Sequence, residues 1–185
     1  MTKIVAQFNE SNPFQGLFHM MSKKGGMNPH ATGEIRITST GTSPTSVKQP
    51  HDIILSLGRG DWMSNNVPGS FIQFDFRKYQ LNPTHYSLKF YSGLPNNRLK
   101  GWALEGSIDG SRWFCLDEYH LCRNFLESQI TLGLFSDIPV RFLRIFQIGK
   151  NIAGNNILVL NQVEFFGELI YNPNAPLHIQ SSGFM

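Results

Sequence analysis

The stretch GRGDWMSNNVPGS brings Arg59, Asp61, Trp62, Asn65 and Asn66 together in a short run broken by glycines and a proline. Its charged and amide groups supply hydrogen-bond donors and acceptors, and the indole offers a flat apolar face on which a sugar or a side chain can stack. Further along, YSGLPNNRLKG adds Asn97 and Arg98. The chemistry these types support is recognition of a polar ligand or a partner surface. The same residues also make a plain turn: Asn and Gly tolerate left-handed conformations, Pro68 fixes a bend, and Trp62 can close the end of a core. Residue types alone leave both readings open.

Bond-making chemistry has no comparable signature. The six His are dispersed, and no HExxH, GxSxG, Walker or dinucleotide-type glycine pattern occurs. The expectation is therefore no catalytic residue, no cofactor and no enzyme. His30, Asn28 and Glu34 could border an oxygen-ligand cation site, but Glu34 is the only carboxylate in that segment and calcium wants several, so no metal is assigned. Cys115 and Cys122 lack CxxC spacing and read as buried or half-buried free thiols. Lys and Arg outnumber Asp and Glu by 16 to 13, for a formal net charge of +3, and the charges are scattered. No basic stripe points to nucleic acid. MTKIVAQFNESN lacks the apolar core of a secretory signal and no later run is long enough to span a bilayer, so the expected location is intracellular, cytoplasmic or cytoskeletal.

The elements that must position these residues are mostly strands. NPFQGLFHMMSKKGG, residues 12–26, predicts a short helix: Asn12 caps, Pro13 suits the first position, Phe14, Leu17, Phe18 and Met21 share a face, and Gly25 or Gly26 ends it. EIRITST alternates Ile35 and Ile37 with polar neighbours, SFIQFDF puts Ile72, Phe74 and Phe76 on one face, and THYSLKFYS does the same with Tyr86, Leu88 and Phe90. His85 then faces outward. GWALEGS and, after the Asp-Gly turn of IDGSRWFCL, a further strand follow, with Trp102 and Trp113 expected in the core. QITLGLF, VRFLRIFQIG and LVLNQVEFFGEL complete the series. HDIILSL is a short element after a surface loop. Short strands punctuated by Gly, Pro and Asn, with little helix, predict an all-β antiparallel β-sandwich. The boundaries expected are an arm over 1–11, one domain over 12–170 and a C-terminal tail over 171–185, with Tyr171, Leu177, Ile179 and Phe184 as tail contacts to a partner.

The order of the segments NPFQGLFHMMSKKGG, GEIRITST, SNNVPGSFIQFDFRKYQLNPTHYSLKFYS, LKGWALEGSIDGSRWFCLD, VRFLRIFQIGKN and LVLNQVEFFGEL resembles the discoidin family, or coagulation factor type C domains, within the galactose-binding-like jelly rolls. It is most similar to intracellular forms found with BTB and BACK proteins. The resemblance implies an eight-stranded jelly roll with recognition loops at one end, where NPHATGE, GRGDWMSNNVPGS and YSGLPNNRLKG gather and GKNIAGNN is a neighbour. It further implies a non-catalytic interaction module, an adaptor or structural subunit of a larger protein assembly of cytoskeletal, ciliary or ubiquitin-ligase type. The alternative is a carbohydrate-binding module that reads a glycan through Trp62, Asn65 and Asn66.

Overall fold

The computed structural model describes residues 3–55, 59–90, 97–120 and 128–174. Its strands are β1 (Lys3–Ala6), β2 (Arg36–Ser39), β3 (Trp62–Met63), β4 (Phe71–Asp75), β5 (Tyr79–Lys89), β6 (Gly101–Ser107), β7 (Phe114–His120), β8 (Gln129–Gly133), β9 (Phe142–Gln147), β10 (Val159–Leu160) and β11 (Gln162–Tyr171), with one α-helix, α1 (Leu17–Gly25). One sheet has the order β1-β11-β5-β8 and the other β2-β4-β9-β6-β7, while β3 and β10 form a small pair; every pairing is antiparallel. Setting aside the short β1, β3 and β10, the eight remaining strands are those the alternation predicts. The short element expected at HDIILSL is a 3-10 turn, Pro50–Ile54.

The two-residue period decides the core. Ile72, Phe74 and Phe76 from one sheet meet Tyr86, Leu88 and Phe165 from the other, all fully buried. Each such side chain contributes roughly 1.5–3 kcal/mol by leaving water. Phe18 of α1 packs its ring against Phe74 and Phe165 at 5.5 and 5.6 Å, so the helix plugs the sandwich. Trp102 is buried as expected; its indole N–H donates to the Tyr86 hydroxyl at 2.9 Å, and that hydroxyl donates to Asp117 at 2.7 Å. Trp113 differs from expectation. It lies half-buried on the outer face of the five-stranded sheet, with the Arg144 guanidinium 4.1 Å from its ring centroid.

The helix begins later than the sequence predicts. Asn12 and Gln15 form turns, and α1 starts after Gly16 because the carboxylate of Glu164 on β11 accepts the N–H groups of Phe18 and His19 at 2.9 and 3.0 Å. A helix N-terminus leaves such donors unpaired, and the Glu164 side-chain oxygens satisfy them. Gly26, with φ 67°, supplies the left-handed end. The expected arm over 1–11 contains β1, which pairs Lys3 with Ile170 and Ala6 with Gly167. Cys115 is exposed rather than buried, and Cys122 lies outside the described residues.

Candidate functional site

Strand direction sorts the connections into two ends. Ser39 ends β2 opposite Ile72, Phe71 begins β4 opposite Phe146, and Trp102 near the start of β6 pairs with Gln147 near the end of β9. Residues 40–46, 64–70, 97–100 and 148–158 therefore share one end, called upper here. Residues 27–35, 76–78, 107–113 and 134–141 share the lower end. NPHATGE thus stands opposite the other loops rather than among them, correcting the gathering that the segment order implied. Thr32, Gly33 and Glu34 border a lower cleft with Arg77, Lys78, Tyr79 and Tyr171. His30 is committed there: its Nδ1 accepts the Ile37 N–H at 3.0 Å, and its ring stacks on His51 at 4.9 Å. Burial, with His51 and Arg36 close by, lowers its pKa.

At the upper end, three residues expected to meet a ligand face inward. Trp62 is fully buried and donates its indole N–H to Thr42 Oγ1 at 3.2 Å, so no sugar or side chain reaches its face. Asp61 is 7% exposed; its Oδ1 accepts from Asn161 Nδ2 at 3.1 Å, and its carbonyl accepts the N–H of Val47 and of Lys48. Burial raises the Asp61 pKa against the opposing Asn161 bond and Lys48 charge, while Lys48, buried and donating to the Asn161 carbonyl at 3.0 Å, is lowered. Arg98 is 8% exposed, its guanidinium 6.0 Å from the Phe90 ring centroid. These side chains frame the loops from within. Asn97 is half-buried beside it.

Arg59, Asn65 and Asn66 do face solvent. The loop that carries the two amides is pinned from below: the Asn65 carbonyl accepts the hydroxyls of Ser64 and Ser70 and the N–H of Val67. Asn66 Oδ1 accepts the N–H of Asn156 at 2.9 Å, joining this loop to the one after β9. In that second loop Asn151, buried at 3% exposure, donates Nδ2 to Asn155 Oδ1 and to the Ile157 carbonyl, at 2.6 and 3.1 Å. The Ile152 N–H donates to the Arg98 carbonyl at 3.1 Å, tying in the loop before β6. The network holds an exposed rim of Asn65, Asn66, Val67, Pro68 and Ile152, the last 51% exposed. Ile152 and Val67 were missed as site residues; the signal was the clustering of turn-forming Gly and Asn around Ile152 in GKNIAGNN.

Of the expected tail contacts, Tyr171 is the last residue of β11, paired with Tyr79, and Leu177, Ile179 and Phe184 lie outside the described residues. Among the described residues no three of His, Cys, Asp and Glu come together to hold a metal, and no helix is long and apolar enough to cross a membrane.

Solved structures similar to this chain include CpGH89CBM32-5 from Clostridium perfringens in complex with GalNAc-β-1,3-galactose, with TM-score 0.59 and 16% identity over 73% of this chain and 96% of that one. The family 32 carbohydrate-binding module of C. perfringens NanJ in complex with galactose has TM-score 0.57 and 12% identity over 72% and 94%. The lectin binding domain of Lectinolysin complexed with Lewis b has TM-score 0.51 and 15% identity over 71% and 91%. The chain therefore has the galactose-binding-like, discoidin-type jelly-roll fold. No family model matches it. In sequence it is 31% identical over 93 residues to the E3 ubiquitin-protein ligase hecd-1 of Caenorhabditis elegans, and 28% identical over 153 residues to the E3 ubiquitin-protein ligase Ufd4 of Drosophila melanogaster. These matches cover 48% and 78% of this chain but only 4% and 6% of the ligases. Nothing in them supports the nearer kinship with BTB and BACK proteins that the segment order implied.

Proposed function

We propose that this domain is a non-catalytic interaction module, an adaptor or subunit of a larger assembly, that docks a protein partner through its upper loops. The observation that carries this is the inward turn of Trp62, Asp61 and Arg98, which leaves the rim to amides and aliphatic side chains. An aliphatic centre with a polar border is the composition of a protein–protein contact. The described residues of these loops carry no exposed aromatic ring on which a sugar would stack. Similarity to segments of two ubiquitin ligases supports a place in assemblies of that kind. The exposed, unpaired thiol of Cys115 fits a reducing, intracellular compartment.

A second reading is a glycan-binding module, favoured by structural neighbours solved with bound sugars. One paired experiment separates the two. The purified chain is applied to a glycan array, and it is used in parallel for affinity capture from the source cell with mass spectrometry of the chains retained. The expected result is a silent array and a retained set that falls about tenfold with Ile152→Asp. Saturable glycan binding abolished by Asn65→Ala with Asn66→Ala would overturn the protein reading.

A further inference from the structure

The upper end is asymmetric in charge. Lys100 and Lys150 are exposed there, and Lys89, half-buried, ends β5 at the same end. Lys100 and Lys150 flank the Ile152 tip, because the Ile148 N–H donates to the Gly101 carbonyl and the Ile152 N–H to that of Arg98. Among the described residues of these loops there is no carboxylate; the neighbouring Asp61 is buried against Asn161. Glu118, on β7 beneath the rim, is tied to His120 at 2.8 Å. The lower end mixes signs instead, with Arg77, Lys78 and Arg112 offset by Glu34, Asp75 and Asp109.

We infer that the partner's docking segment is acidic, its carboxylates meeting Lys100 and Lys150 while an apolar side chain seats on Val67 and Ile152. This rests on the protein-docking reading of the same end. Exposed cations within a screening length of about 8 Å act together on an approaching anion and raise its capture rate. Complementary charge also fixes register and rejects cationic competitors. The amides of Asn65 and Asn66 present N–H donors suited to carboxylate oxygens. An anionic membrane would also meet the lysines, but here the apolar groups are aliphatic, part-covered (Val67 38% and Ile152 51% exposed) and set among amides. Entering a bilayer would leave those amides without partners, whereas a polypeptide supplies them.

The test uses the full chain and three labelled peptides of one length, in which Leu alternates with Glu, with Gln or with Lys, alongside vesicles of phosphatidylcholine with phosphatidylserine. The Glu peptide is expected to bind about tenfold tighter than the Gln peptide at low salt, with the advantage shrinking as salt rises. Lys100→Glu with Lys150→Glu removes that advantage, and Lys78→Glu at the lower end does not. Equal binding of the Gln and Glu peptides, no binding of the Glu peptide, or binding of the vesicles alone overturns the inference. If Ile152→Asp abolishes capture of a cellular partner while the charge reversals leave it intact, docking stands and the acidic partner falls.

Discussion

Glu164 shows how one side chain couples the four-stranded sheet to the helix. It sits on β11 with no solvent exposure, accepts the N–H groups of Phe18, His19 and Phe165, and has its pKa pushed up to about 8 because burial outweighs those donors. A raised pKa in the folded state means that between the ordinary carboxyl value of 4.5 and about 8 the folded protein holds a proton that the unfolded chain has released. Its contribution to stability is therefore full below 4.5 and declines as pH rises to about 8. His30 works the other way: its pKa is lowered from 6.5, so stability from its neutral form is present above that value and lost as pH falls. Comparing wild type with Glu164→Gln cancels the histidine effect. Thermal melts should show the wild-type advantage shrinking from about pH 5 to about pH 8; an advantage independent of pH contradicts the assignment. Glu164→Ala, which leaves buried donors without an acceptor, should cost about 3 kcal/mol or more by denaturant titration.

At the scale of elements, the close approach of α1 to β11 demands Gly16. A Cβ there would meet the Phe165 carbonyl and would lie 2.8 Å from the Glu164 side chain and 2.9 Å from the Phe166 ring. Gly16→Ala should destabilise by about 2 kcal/mol, read by denaturant melts, by the overpacking cost of a crowded core; a neutral result means α1 can shift outward. This start of the helix was illegible in the sequence because its cap, Glu164, is supplied from β11, far along the chain. Where burial alternates, as in β2 and β4, the strands were legible from period alone. The first half of β5 was not, since the sequence reading takes up the alternation only from Thr84 onward, while the structure carries the strand back to Tyr79 past a bulge at Thr84 that sets Pro83 opposite Gly167, whose φ is 137°. The site was legible only in part. Asn65 and Asn66 face solvent as their turn chemistry suggests, but Trp62 and Arg98 look equally polar or amphipathic in sequence and turn inward, Trp62 on β3 where it pairs with β10 and Arg98 against the Phe90 ring.

For the whole molecule, the question is which end docks. The upper end has a rigid network, aliphatic tips and a cationic border. The lower end has exposed apolar side chains of its own, Met27, Ile108 and Ile138, and above all Phe135, which is fully exposed just after β8. Two variants that alter opposite ends of the same fold can therefore decide between them, provided each melts at the wild-type temperature. The decisive measurement is quantitative affinity capture from the source cell, with isotope-labelled mass spectrometry comparing wild type, Val67→Asp with Ile152→Asp, and Phe135→Ser. The upper-end variant is predicted to lose the retained polypeptides by about tenfold or more while Phe135→Ser keeps them. Loss that follows Phe135→Ser and spares the upper-end variant would contradict the account.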